Sequence, residues 1–344
     1  MRASHIMPLS LLLLAMACHK DEGTTWRNVT VLGDQTTAAS FGPNERVTIE
    51  GDLAFLYEGN DAGLVIRGEV EFRLAEGATC KLPPMILLED DAHLVVKRLG
   101  AGPWYSLKYE HAEGTLALDN VDIEGGQIGL EIRAAQRVML SRLTMDENEI
   151  YSIYCDNVAR AEIEDLTIMN SQYGLYCSNN VDSLIMTRFT ISNCEIGIYN
   201  IRSGMIIDNG EISHCSNVGL YCHGEDFLHA TYIDFYANFY HIYERQRNDL
   251  NITYCDFAGQ ERYVIYFHSA LYGRNNIRQN NISNEANFVK VVSGTVDVTE
   301  NYWGTTQDDV IAGRMIDHRV ETQLGTINYL PFLIMPVANA GRAD

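Results

Sequence analysis

The chain repeats itself about every 22 residues, and that period restricts the fold more than any other property. One register reads Ile128-Gly-Leu-Glu-Ile132, Tyr151-Ser-Ile-Tyr-Cys155, Tyr173-Gly-Leu-Tyr-Cys177, Ile196-Gly-Ile-Tyr-Asn200 and Val218-Gly-Leu-Tyr-Cys222. It continues as Tyr240-His-Ile-Tyr-Glu244, Tyr263-Val-Ile-Tyr-Phe267 and Asn287-Phe-Val-Lys-Val291, in steps of 22 to 24 residues. A second apolar column falls at Ile123, Met145, Ile168, Ile191, Ile212, Phe235, Phe257 and Ile282. Two columns that keep step over eight repeats describe a stacked array, in which each unit buries its apolar face only against its neighbours.

Strand geometry explains the period. About 22 residues suffice for three short strands and three turns, one lap of a coil, with each lap hydrogen-bonded about 4.8 Å above the last. A helical repeat would need longer segments with a 3.6-residue period, which these lack. No proline falls between residues 104 and 330, as expected where every strand donates N–H groups to a neighbour. The expectation is therefore an all-β chain wound as a parallel three-sheet solenoid.

The Gly-Leu/Ile-Tyr strands, each followed by a short asparagine-containing stretch, resemble the repeats of pectate-lyase-like right-handed parallel β-helix proteins. Residues 300–333, with Glu300-Asn-Tyr-Trp-Gly and the later Leu324-Gly-Thr-Ile-Asn-Tyr-Leu-Pro-Phe-Leu333, resemble the C-terminal closure of such bacterial proteins. The resemblance spans roughly residues 45–333 and implies a right-handed single-stranded β-helix. It implies no particular activity, since the scaffold carries lyases, hydrolases, epimerases and non-enzymatic surface proteins.

Along the chain, residues 1–17 read as a signal peptide. Arg2 gives a positive start, Leu9 to Leu14 an apolar run too short to span a bilayer, and Ala15-Met16-Ala17 a cleavage site before Cys18. The site resembles a bacterial lipobox, in which Cys18 would be acylated and anchor the protein to a membrane; ordinary signal peptidase cleavage at the same bond would release a soluble protein. Residues 24–100 read as irregular opening rungs, with Val70, Phe72 and Leu74 alternating with charged neighbours and Pro83-Pro84 interrupting the ladder. Residues 101–304 form the regular rungs and 305–336 a cap. In that cap Thr305 or Thr306, followed by Asp308 and Asp309, would start a short helix running to about Ile316. The last stretch, from Val337, is expected to fray.

The formal net charge of −21 argues against nucleic acid as a partner and fits a solvated acidic surface on an exported protein. Cys155, Cys177 and Cys222 share one column, and Cys194 and Cys215 another, which reads as buried thiol stacks. No CxxC or paired His/Cys spacing supports zinc, and no motif calls for a cofactor.

If the central Leu or Ile of each first strand points inward, alternation turns the next residue outward. That residue is Tyr154, Tyr176, Tyr199, Tyr221, Tyr243 and Tyr266 in six successive rungs. The residues on the other side of the centre, Ser152, Gly174, Gly197, Gly219 and His241, would then floor a shallow trough. Such a face suits a carbohydrate polymer or another envelope component, because sugar C–H faces pack on aromatic rings; a self-covering structural ladder would leave the same sequence trace. His223, Arg245 and His268 fall in one column beside it, with Glu225 and Asp226 in a turn. As an enzyme, a polysaccharide lyase would use Arg245 against the substrate carboxylate and His223, His268 or Tyr243 for proton transfer. A glycosidase would need two facing carboxylates, for which Asp156, Glu225 and Asp226 are loose candidates. The expected role is that of an exported, lipid-anchored binder, with a polysaccharide-degrading enzyme and a structural or adhesive surface protein as the alternatives.

Overall fold

In a computed structural model, the described residues are 18–343 apart from 22–23, 32–33, 57–61, 90, 179–180, 225, 246–248, 270–273 and 284–286. For 18–21, 24–25 and 274 the backbone alone is described. Residues 1–17, read from the sequence as a signal peptide, and Glu225 therefore lie outside the described residues.

One lap illustrates the rest. Tyr173–Cys177 forms a strand of the first sheet, and Val181–Ser192 supplies the second and third sheets by bending at Arg188. A turn beginning at Asn193 then leads into Ile196–Ile201, one level up in the first sheet. The bend is a single left-handed residue repeated lap after lap: Asn120, Arg142, Asp165, Arg188, Asn209, Tyr232, Tyr254, Gln279 and Glu300, with φ between 49° and 59°. That conformation costs about 1–2 kcal/mol for a residue with a Cβ. The stacking offsets it, because the bent residues still bond from lap to lap, as Tyr254 N–H does to Gln279 O (3.1 Å) and Gln279 N–H to Glu300 O (2.8 Å).

Parallel register aligns the core into columns. In the first sheet Leu53, Cys80, Leu107, Leu130, Ile153, Leu175, Ile198, Leu220, Ile242, Ile265, Val289 and Met315 follow one another, all buried. The second apolar column read from the sequence is present from Ile123 to Ile282 and runs further down through Val96, Phe72 and Val47 to Val29. The lower rungs escape periodicity because their spacing varies from 18 to 27 residues.

The opening rungs are held by charge as well as burial. Glu71 is 5% exposed and receives Arg46 Nε at 2.7 Å, Lys97 Nζ at 2.7 Å and Arg73 Nε. Burial pushes its carboxyl up, but the hydrogen bonds from Lys97 and Arg73 outweigh that and leave its pKa below the ordinary value. Beyond Pro83-Pro84, among the described residues Ile86–Leu88 pairs only with Leu64–Ile66 below it, so this lower strip of the second sheet stops there. The step leaves an open groove lined by Leu87, Met139, Glu162 and Ile185.

Both ends are closed. Cys18–Asp21 pairs antiparallel with Thr24–Val31 and covers the first edge. At the other end Trp303 and Ile311 are buried, with Trp303 against Phe288 at 5.0 Å between ring centroids. The cap helix is shorter than the sequence suggests: it spans Asp308–Gly313, with Gln307 as N-cap and no side-chain cap bond. Thr305 instead accepts the Gln307 N–H (3.2 Å), and Met315–Ile316 leaves the helix to pair with Asn287–Val291 at the top of the first sheet. The final residues do not fray either. Val337 exchanges hydrogen bonds with the Asn281 side chain, Arg342 N–H donates to Asp234 (3.1 Å), and Ala343 N–H donates to Asn209 (2.9 Å). The tail thus runs back across several rungs of the third sheet, because the stacked turns present a row of polar side chains to an otherwise unpaired backbone.

Candidate functional site

The six tyrosines stack face to face on the outside of the first sheet. Successive ring centroids from Tyr154 to Tyr266 lie 5.3, 5.0, 4.5, 5.2 and 4.8 Å apart, with interplanar angles of 2° to 14°. Each interior ring therefore spends both faces on its neighbours. The two end faces are occupied as well: the Arg133 guanidinium lies 4.5 Å from the Tyr154 ring centroid and Lys290 Nζ 5.8 Å from that of Tyr266. What the ladder turns outward is a strip of ring edges and hydroxyls. A second row, Tyr151, Tyr173, Tyr240 and Tyr263, braces it edge-on, for example Tyr173 against Tyr199 at 5.6 Å and 86°.

The glycine floor is not there. Ser152 and His241 have no exposed surface, and Gly174, Gly197 and Gly219 are buried beneath the sheet. Ser152 and Gly174 both drop out of the pairing, which passes from Tyr151↔Tyr173 to Ile153↔Leu175 with its offset unchanged, so each first strand carries a local kink, stacked in register, that turns two consecutive residues inward. Strict alternation fails at this kink, and the glycines exist because a Cβ has no room. At Gly174 it would lie 2.5 Å from Gly197 O, and at Gly197 2.6 Å from Gly219 O.

Burial, then the neighbouring phenols, push the Tyr199 hydroxyl up to about 12, and Tyr176, Tyr243 and Tyr266 shift upward for the same leading reason. These phenols stay protonated at neutral pH, so Tyr243 is suited to donating a proton or hydrogen bond and poorly suited to abstracting one. His223 and Arg245 pair in adjacent rungs, His268 N–H bonds to Glu244 O (2.9 Å), and the His268 ring lies 6.4 Å from that of Tyr243. The polar column therefore flanks the upper part of the ladder. Asp156 sits lower, where Ser178 donates to it at 2.7 Å, and Asp226 is exposed.

The stacked thiols face the core. Cys155 and Cys177 are adjacent, and the column continues with Asn200, Cys222 and Glu244. Cys80, Cys155, Cys177, Cys194, Cys215, Cys222 and Cys255 are all unbridged and buried. Burial raises the Cys194 thiol to about 11 and also raises Cys215, which keeps both protonated. Sequence reasoning missed Arg133 and Lys290, which close the ladder, and Glu131, which continues its column below Tyr154. Their only trace is that each falls on the outward phase of the same register.

A parallel coil of this kind, with one-residue corners and inward columns of Leu and Ile, defines the class as a right-handed β-helix, and the right-handed β-helix region family matches residues 151–302. The chain belongs to the NosD family, described as periplasmic copper-binding protein, which matches residues 45–222. No curated protein matches the sequence. Two similar solved structures are the Azotobacter vinelandii mannuronan C-5 epimerase AlgE4 A-module and the periplasmic alginate epimerase AlgG. They share 12% and 10% identity, cover 90% of this chain and 86% and 85% of their own, and overlay with TM-scores of 0.37 and 0.33.

The family description raises the question of copper. Soft thiolate, thioether or imidazole donors would have to converge. Among the described residues no group of three or more His, Cys, Asp or Glu side chains is placed to hold a metal ion. The paired Cys194 and Cys215 are held protonated inside the coil. The donor set among the described residues does not fit copper.

Proposed function

We propose that this is an extracytoplasmic binding protein that presents the outer face of its first sheet to a carbohydrate polymer or another extended envelope component. The observation that carries the reading is the phenol strip: hydrogen-bonding hydroxyls on rings 4.5 to 5.3 Å apart along one straight face, braced so that they lose little freedom on binding. Because ring faces are committed to one another, recognition runs through hydroxyls and edges. The double variant Tyr199→Phe/Tyr221→Phe, which keeps the stack and removes two hydroxyls, should weaken polymer binding about tenfold or more while leaving the thermal midpoint nearly unchanged. Glycan-array and titration binding of a polymer that is indifferent to both substitutions would overturn the reading. Release of an unsaturated, ultraviolet-absorbing product from a uronate polymer, lost in His223→Ala or His268→Ala, would replace it with a lyase.

Attachment to a membrane through lipid on Cys18 belongs to the same proposal. The support is the segment before Cys18 together with its place at the first edge of the coil, where a tether would leave the tyrosine face free. Cells fed radiolabelled palmitate should label the wild-type protein and not Cys18→Ala, which should move to the soluble fraction; equal labelling of the two would exclude the anchor.

A further inference from the structure

Below Tyr154 the outward column of the first sheet changes character. It passes through Glu131, Lys108 and Lys81 into an open groove lined also by Tyr105, Glu110 and Arg133. The groove encloses about 630 Å³, the scale of one or two sugar rings.

Three observations set it apart from the ladder. Tyr105 is 40% exposed and stacks on no other ring among the described residues, so its faces are available as the ladder's are not. Glu131 is 2% exposed; one carboxylate oxygen accepts Arg133 Nε at 2.6 Å, and the other has no hydrogen-bond donor. A buried carboxylate oxygen without a donor is costly, and an occupant that brings an O–H removes the cost. Access to it requires a flexible neighbour to swing aside, and the Lys108 and Arg133 side chains are 22% and 36% exposed.

The charge of the groove then selects among occupants. Its acids are engaged: Glu110 pairs with Lys108 (2.7 Å), Asp52 accepts Thr79 N–H (2.8 Å) and Asp34 accepts Ala54 N–H (3.0 Å). Four carboxylates stand against the cations Lys81, Lys108 and Arg133, so the groove is close to neutral on a strongly acidic chain. A polyanion gains nothing there.

We infer that this groove is a subsite for a neutral, hydroxyl-bearing sugar ring, packed by its C–H face on Tyr105 with a hydroxyl donated to Glu131. The inference rests on the carbohydrate reading above and locates where a ring is read, the ladder serving as its continuation. Titration calorimetry of the full mature chain with cellotriose, mannotriose and trigalacturonate tests it. A neutral trisaccharide should bind, lose at least tenfold in affinity in Tyr105→Ala and in Glu131→Gln, and be unaffected by Tyr199→Phe/Tyr221→Phe. Tyr105→Ala removes an exposed ring and should fold normally, so it keeps the test open if Glu131→Gln does not. Preference for trigalacturonate, or neutral binding insensitive to Tyr105→Ala, would overturn the subsite. Absence of trisaccharide binding, with polymer binding still sensitive to the ladder pair, would overturn the subsite and leave the function standing; no binding of either would end both.

Discussion

Replacing Gly197 by valine is expected to destabilise the coil by about 3 kcal/mol or more and to uncouple the rungs on either side of it. Even a Cβ there would meet Gly219 O at 2.6 Å, Ile212 Cγ2 at 3.0 Å and Cys215 Sγ at 3.1 Å. The carbonyl cannot retreat without loosening the ladder from which each lap takes its register, and in a stacked array neighbouring interfaces supply the stability. Thermal unfolding followed by circular dichroism should show a lower first transition, and limited proteolysis should cut near the altered rung. A midpoint equal to wild type, with binding to the tyrosine face reduced, would restore the glycine column to the outer surface and refute its inward placement.

Acid should weaken the coil through His241. Its imidazole is fully buried between Phe235 and Phe257, at 6.0 and 5.8 Å between ring centroids. Asn238 orients it. The amide oxygen accepts Cys215 N–H (2.8 Å) and the amide nitrogen donates to Ile212 O (2.8 Å), so the second amide hydrogen faces His241 Nδ1 (3.0 Å). Nδ1 is thus the acceptor and Nε2 carries the proton of the neutral ring. Burial pushes its pKa down to about 3, against a weaker upward pull from the Gln260 side chain and the Ala258 backbone, which favour the protonated ring as acceptors. A folded pKa below the unfolded value of about 6.5 means that the unfolded chain takes up the proton first as pH falls. The contribution is complete above about pH 6.5 and declines by about 1.4 kcal/mol per pH unit below it until the folded pKa is reached. Between pH 6.5 and 4.5 this amounts to about 3 kcal/mol. Wild type and His241→Gln compared at both pH values should differ in slope, since the acidic side chains contribute equally to each. Parallel slopes would show that the ring is not held neutral.

How far the sequence reaches can be followed along one strand. In Tyr173–Cys177 the burial of Leu175 and Cys177 and the outward turn of Tyr176 follow from period-2 alternation, and all three lie as that rule requires. Gly174 does not, because the rule assumes an unbroken ladder and the kink depends on how the preceding turn enters the strand. The same division holds at the candidate site. The tyrosine column was legible because one residue type recurs at one phase; Tyr105, Glu131, Arg133 and Lys290 were not, because each occurs once and acquires its neighbours only by stacking. The irregular opening rungs, where spacing drifts between 18 and 27 residues, hid their columns for the same reason.

The sequence alone determined that the chain coils in laps of about 22 residues, which side chains fill the core and that one outward face is tyrosine, since these are consequences of period and polarity. Only the tertiary structure decided that the rings close on one another, that the glycines lie inside and that the tail straps the third sheet. Those outcomes depend on ring orientation, on a local kink in the strand and on contacts between residues many laps apart, none of which is read from polarity alone. The available aromatic face is consequently found below the ladder, at Tyr105, and not on it.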